Sequence, residues 1–272
     1  RTAGGKGGAT VNYCVYFSPT GTTERMVKYA GERLGCTENI DLCRTDLPHY
    51  SMGREELCVV GVPSFGGRVP LTAAERLQRL RGDRTPALLI VTYGGRAYED
   101  TLRELKDTLE TRGFWCLGAA AMVTEHSIAR EIEAGRPSAA DYRELARFLT
   151  EAKDRLRGEP ISVRVPGNDP YKEYQVLPMG IRTAEDCMRC GRCAGGCPAG
   201  AIPTDDPRQT DAEKCISCMR CVTLCPAHAR SADPEKVRMI GQKLKAICPP
   251  DKPNEFFEIA FESKEQHRGT TV

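Results

Sequence analysis

The chemistry of this chain is concentrated in its cysteines. Eight of the fourteen fall in two copies of one pattern, Cys187-Met-Arg-Cys190-Gly-Arg-Cys193-Ala-Gly-Gly-Cys197-Pro198 and Cys215-Ile-Ser-Cys218-Met-Arg-Cys221-Val-Thr-Leu-Cys225-Pro226. Thiolates separated by two residues can wrap three corners of a cubane, and this is the bacterial four-cysteine iron-sulfur run written twice. Zinc ligands usually come as two pairs across a long spacer, and disulfide knots belong to short secreted chains. Neither explains three evenly spaced cysteines followed by Cys-Pro. The copies are offset by 28 residues, and Arg192/Arg220, Pro198/Pro226, Ala199/Ala227 and Ala201/Ala229 match along with the cysteines. An internal duplication of this kind predicts a pseudo-twofold arrangement.

On these motifs the segment resembles a bacterial two-cluster ferredoxin. In that family the fourth cysteine of each run ligates the other cluster. The resemblance implies one [4Fe-4S] cluster on Cys187, Cys190, Cys193 and Cys225, and a second on Cys215, Cys218, Cys221 and Cys197. Arg189, Arg192 and Arg220 stand among these ligands, where positive charge would raise a cluster's potential.

A second set of residues lies upstream. Phe17-Ser18-Pro19-Thr20-Gly21-Thr22-Thr23 joins an apolar run to a helical pattern, so hydroxyls and backbone amides collect at a helix N-terminus, a natural phosphate site. The alternative reading of the same residues is a capped strand-to-helix turn. The loop lacks the Walker Gly-Lys-Ser/Thr ending and the Gly-x-Gly-x-x-Gly pattern, which counts against ATP and dinucleotides. Two further loops, Pro63-Ser64-Phe65-Gly66-Gly67-Arg68 and Thr92-Tyr93-Gly94-Gly95-Arg96-Ala97-Tyr98, combine glycines for close backbone approach with aromatics able to stack on a planar ring. The three loops resemble those that enclose FMN in flavodoxins. That resemblance implies that Ser18, Thr20, Gly21, Thr22 and Thr23 hold the phosphate and that Phe65 and Tyr98 flank the ring, with Tyr93 nearby. Arg68 and Arg96 depart from the acidic surroundings of many flavodoxin flavins. They either face the ring, face solvent or dock a partner. His126, following Glu125, is a weak candidate for proton transfer.

The elements that must position these groups follow from periodicity. Val11–Phe17, Asn39–Leu42, Leu57–Val62, Ala87–Thr92 and Cys116–Val123 read as strands. Thr22–Leu34, Leu71–Arg81, Tyr98–Thr111 and Ser138–Arg157 read as helices between or after them. The alternation predicts an α/β doubly wound five-stranded parallel sheet of flavodoxin-like order 2-1-3-4-5, joined to a small α+β ferredoxin-like domain. Expected boundaries are a flexible arm at 1–10, the FMN-binding domain at 11–157, a Pro/Gly-rich linker at 158–180, the cluster domain at 181–232, and a C-terminal helix and tail at 233–272. The tail's Phe256, Phe257, Ile259 and Phe261 are too apolar to be left in water. Cys14, Cys58 and Cys116 read as small buried hydrophobes; Cys36, Cys43 and Cys248 have no metal spacing.

With 40% apolar and 28% charged residues and a formal charge of +2, composition gives no reason to expect nucleic acid and no run able to enter a membrane. Cysteines in a metal-type run inside a long chain point to a reducing cytoplasm. From about 11 to 230 the chain resembles the flavodoxin-ferredoxin fusion proteins of anaerobes, with Tyr93-Gly94-Gly95-Arg96-Ala97-Tyr98 as the more specific motif. The resemblance implies an electron-transfer iron-sulfur flavoprotein that links one-electron and two-electron redox partners, docking a redox protein at its cluster face. A homodimer would serve if the route within one chain were too long. The alternatives are an FMN-dependent reductase of a small quinone or nitro acceptor, and a non-catalytic redox sensor.

Overall fold

The computed structural model describes residues 10–156, 161–249 and 251–258. Most of the expected N-terminal arm, and Ile259 and Phe261 of the tail, lie outside them. In chain order the elements are β1 (Tyr13–Tyr16), α1 (Thr22–Leu34), β2 (Glu38–Asp41), β3 (Tyr50–Met52), β4 (Cys58–Pro63), α2 (Leu71–Leu77), β5 (Leu80–Gly82), β6 (Thr85–Tyr93), α3 (Thr101–Thr111) and β7 (Phe114–Val123). They continue with α4 (Ala139–Arg155), β8 (Arg182–Thr183), α5 (Arg192–Gly195), α6 (Arg220–Leu224), β9 (Arg230–Ser231), α7 (Pro234–Ile247) and β10 (Glu255–Glu258).

The main sheet runs β2-β1-β4-β6-β7-β10. Its first five strands are mutually parallel, and β10 adds a sixth, antiparallel to β7. Both faces are covered, so the strands read as continuous apolar runs whose successive side chains go to opposite cores. On β6, Leu89 and Val91 join α2 and α3 in one core, while Leu88 and Ile90 join α1 and α4 in the other. Parallel strands joined by crossovers bring the loops after β1, β4, β6 and β7 to one edge, where ligands of open α/β sheets bind.

Two expectations need correction. The sheet has six strands, because the tail's Phe256 and Phe257 pair with Ala120 and Ala119 of β7 and close its open edge. Phe256 stacks 5.1 Å from Phe148 of α4. The helix expected over 71–81 ends at Leu77, and residues 80–82 form a strand against β3. Gly82 permits this, since a Cβ there would come within 2.8 Å of the Gly113 carbonyl oxygen.

Residues 161–180 form no helix or strand, yet they are tied to the sheet domain along their length. Val163 donates to the Cys116 carbonyl at 2.7 Å. Asp100, fully buried, accepts from the backbone amides of Asn168 and Lys172 and from the Asn168 side chain at 2.7–2.8 Å. This segment is a strap.

The duplication is visible in the backbone of the cysteine-rich segment. Arg189 and Ser217 both have φ 52°, Gly191 and Met219 have 73° and 63°, and Gly200 and His228 have 60° and 52°. Each pair is 28 residues apart. Left-handed conformations at serine, methionine and histidine are costly and persist only where the surroundings impose them. The same register recurs in hydrogen bonding: Ala201 N–H donates to Cys197 Sγ and Ala229 N–H to Cys225 Sγ, each at 3.3 Å.

Candidate functional site

The loops at the carboxyl edge of the sheet enclose a cavity of about 310 Å³, at the small end of the range for pockets that bury one organic ligand. Its phosphate-like corner is the start of α1. Gly21 takes φ +88°, open to glycine but not to a larger residue without strain. Ser18 Oγ accepts from Glu24 N at 2.9 Å, and Gly21 O accepts from Arg25 N at 3.1 Å. The amides of Thr22 and Thr23 have no acceptor among the described residues and sit at the positive end of the helix dipole. Thr20, Thr22 and Thr23 line the cavity. The Thr23 hydroxyl is already bonded to Thr92 Oγ1 at 2.8 Å, and Ser18 serves as a cap with its side chain buried. Arg25, overlooked in the sequence reading, donates to Thr22 Oγ1 at 3.2 Å and adds a cation at this corner.

Pro63, Ser64, Phe65, Gly66 and Gly67 from the β4 loop, and Thr92, Tyr93, Gly94 and Arg96 from β6 and its loop, form further walls. Gly95 and Tyr98 are not among the walls. Tyr98, expected to flank a ring, is 7% exposed, lies edge-on to Tyr93 at 5.2 Å, and donates its hydroxyl to Glu255 at 2.9 Å. The tail strand thus draws Tyr98 behind the wall, while Tyr93 faces the cavity with a buried hydroxyl lacking a partner among the described residues. An orphaned hydroxyl, free helix-start amides and two glycine loops suit a phosphorylated planar ligand.

Of the two loop arginines, Arg96 lines the cavity and Arg68 does not. Arg68 forms a two-pronged ion pair with Glu104 at 2.7 and 2.9 Å and stacks on Tyr171. Arg96 donates to Glu99 at 2.7 Å. Burial would raise the Glu99 carboxyl, but hydrogen bonds from Arg96 and Lys172 outweigh it and hold Glu99 below its ordinary range. Arg68 thus has a carboxylate to itself, whereas Arg96 shares Glu99 with Lys172. Glu125 and His126 do not form a dyad. Glu125 is paired with Arg130 at 2.6 Å, whereas His126 Nδ1 accepts from Ile128 N and Ala129 N at 3.2 and 3.0 Å. Burial lowers the His126 pKa, so the ring is neutral, and with Nδ1 accepting, its proton belongs on Nε2.

The loop after β7 adds Thr124, Glu125, His126, Ser127 and Ile128, and the other walls come from outside the sheet domain. The strap supplies Tyr174, Gln175, Val176 and Leu177; the cysteine-rich segment supplies Ile216, Ser217 and Cys218; α7 supplies Ile240, Lys243, Leu244 and Ile247. The signal for α7 was its apolar stripe at helical spacing, Ile240-Leu244-Ile247, which had no partner assigned. Leu244 packs on Ala129 and Ile132 beyond β7 and so places the helix over the cavity.

The eight cysteines divide between two small cages. Cys187, Cys190, Cys193 and Cys225 share one with Pro207 and Arg230; Cys197, Cys215, Cys218 and Cys221 share the other with Ile202 and Arg220. Each cage takes three cysteines from one run and the fourth from the other, and α5 and α6 pack together between them. Among the described residues no three His, Cys, Asp or Glu side chains converge on a point that would hold one metal ion. Four thiols that each bind a different iron of a cubane need not converge on one. The second cage adjoins the sheet domain. Arg220 donates to Ser18 O at 3.2 Å and lies 3.6 Å from Asp41. Arg76 donates to Leu42 O at 2.6 Å and to Pro198 O.

Comparison with known proteins agrees on the cysteine-rich segment. Residues 186–230 match the 4Fe-4S dicluster domain family. No curated protein matches. Solved structures with local likeness include rubredoxin oxygen:oxidoreductase of the anaerobe Desulfovibrio gigas (17% identity, 54% of this chain and 36% of that one, TM-score 0.39). A second, from Bacteroides uniformis, is described provisionally as a flavoprotein (17%, 52% and 99%, 0.32), and a third, from Klebsiella pneumoniae, provisionally as a quinone reductase (15%, 57% and 88%, 0.36). The chain thus spans about a third of the first of these. A dicluster segment behind a doubly wound, mostly parallel α/β domain is the arrangement of a flavodoxin-ferredoxin fusion, which this chain resembles, and the iron-sulfur segment gives it a redox role. No described helix is long and apolar enough to cross a membrane.

Proposed function

We propose that this chain is an electron-transfer iron-sulfur flavoprotein, with FMN in the cavity and a [4Fe-4S] cluster in each cage. One observation carries the reading: Cys218 lies in the wall of the FMN cavity and in the wall of the adjoining cage. The flavin when bound exchanges one or two electrons and each cluster one, so the pair links one-electron to two-electron partners. The chain's own residues set the order of centres. Thr20, Thr22 and Thr23 with the α1 amides would hold the phosphate, and Phe65, Gly66, Tyr93 and Gly94 would border the ring. Ile216, Ser217 and Cys218 separate that ring from the proximal cage of Cys197, Cys215, Cys218 and Cys221. The cage of Cys187, Cys190, Cys193 and Cys225 is distal. There Met188 is 63% exposed and Cys190 is exposed, which suits docking of an external redox protein. This order lies within one chain and requires no second copy.

A small-acceptor reductase is the weaker reading. It needs room for a substrate beside the flavin, and the cavity is of one-ligand size. Anaerobic purification followed by flavin, iron and sulfide analysis is the first test, with about one FMN and two four-iron clusters expected. Flash photoreduction of the flavin should then be followed by cluster reduction at a rate independent of protein concentration. Clusters without flavin, or a rate proportional to concentration, would refute the reading.

A further inference from the structure

The two cages are copies that differ in charge at two lining positions, Arg189/Ser217 and Arg230/Ile202, and only the second of these arginines is buried. Arg230 lines the distal cage; its counterpart 28 residues earlier, Ile202, lines the proximal one. Arg230 is 2% exposed and Ile202 4%. The Arg230 guanidinium meets only neutral acceptors: Thr210 Oγ1 at 2.6 Å, Gln209 O at 3.0 Å and Pro207 O. Its Nε is buried without a partner among the described residues. No carboxylate pairs with it there, in contrast to Arg220, which faces Asp41, and Arg68, which faces Glu104.

A cation this deeply buried without a counter-charge is strongly disfavoured. Carbonyls and a hydroxyl offset part of that cost but leave the net charge in place. An iron-sulfur cluster on four thiolates is net negative in either oxidation state, and it becomes more negative on gaining an electron. We propose that Arg230 is the internal counter-charge of the distal [4Fe-4S] cluster and raises its reduction potential, while the duplicated position at the proximal cluster supplies an apolar side chain instead. The inference rests on the two-cluster reading above.

Proximal charge comes from Arg220 within the repeat and Arg76 outside it. Arg76 reaches Pro198 O from α2, and Arg220 is ion-paired. Arg230 also donates to Thr210, which lines the proximal cage, so its field touches both clusters, unequally. Position rather than presence of charge distinguishes the two sites.

The test uses the full chain, purified anaerobically with its cofactors, in EPR-monitored titrations with dithionite and redox mediators. Arg230→Gln and Arg230→Ile should move both cluster midpoints to more negative values, one distinctly more than the other, and Arg230→Lys should restore most of the loss. Equal shifts in the Lys and Gln variants would mark Arg230 as a pin for residues 207–210 and overturn the proposal, as would unchanged midpoints in a fully loaded Gln variant. Should the Gln and Ile variants fail to load, Ile202→Lys supplies the converse test: it should raise one midpoint, and no rise overturns the proposal. A wild-type chain lacking the iron and sulfide of two clusters would instead refute the underlying reading, a result seen in metal content before any titration.

Discussion

His126 illustrates how a side chain of the right type can be in the right place and still be wrong for a role. Two backbone amides occupy its Nδ1 and burial disfavours its charged form, so it cannot act as an acid near neutrality. Its pKa should fall below the ordinary 6.5 when its ring resonances are followed by NMR. Because the folded pKa is depressed, its contribution to stability is present above pH 6.5 and is lost as pH falls toward the folded value. A ring that protonates at or above 6.5 would contradict the hydrogen bonding described. The cysteines make a sharper case. Cys225 belongs to the cage of the other run, so Cys225→Ala should deprive the distal cluster of a ligand, leaving Cys215, Cys218 and Cys221 with Cys197. About half the iron should be lost, with one cluster's EPR signal retained. Loss of the cluster nearest Cys218 instead would show that ligation is not crossed.

Among the elements, β10 has the largest effect for its size. The residue before it, Asn254, accepts from Val123 N at 2.9 Å and donates to Asp141 and Glu144 at 2.8 and 2.7 Å. Arg136 joins the same cluster through a 2.5 Å bond to Asp141. Burial would raise Asp141, but Arg136, the Ser138 amide and Asn254 together lower it to about 2. Asn254→Ala leaves buried groups without partners and should cost about 1–3 kcal/mol, read as a lower denaturant midpoint. The Asp141 contribution is present above about pH 4 and is lost as pH falls toward 2, so the acid-unfolding midpoint of Asp141→Asn should be less steeply dependent on pH there. An unchanged slope would mean that the cluster is not coupled to folding. The strand also determines what the sheet presents. By accepting the Tyr98 hydroxyl, Glu255 removes that ring from the cavity and leaves Tyr93 in its place.

At the scale of the whole molecule, three segments distant in sequence converge on one cavity: the strap, the cysteine-rich segment and α7. Arg220 and Arg76 bind the second of these to the sheet domain, with Arg220 reaching the loop that carries Ser18. Arg220→Ala should loosen this junction and slow electron transfer from photoreduced flavin to cluster several-fold, while iron and flavin content stay near wild type. The flash experiment reads this directly, and an unaltered rate would show that Arg220 does not hold the centres in register. Walls on three sides would also keep water and competing acceptors from a flavin bound there, which suits a carrier better than an open reductase.

The cysteine spacing, the alternation of apolar runs with helical patterns and the glycine loops were readable because each is a local property: a thiol pair two residues apart, a period of 2 or 3.6, a turn that needs positive φ. These determined the iron-sulfur segment, the parallel α/β character and the loops at the cavity. Pairings across long sequence distance were not readable. Glu255 with Tyr98, Glu104 with Arg68, α7 on the segment after β7 and the strap on Asp100 all depend on which surfaces meet after the sheet has formed, and no local period encodes that. The arginines show the division most clearly. Their presence among the ligands could be read from the chain, but which were neutralised by a carboxylate and which, like Arg230, stayed buried and unpaired was decided only by packing.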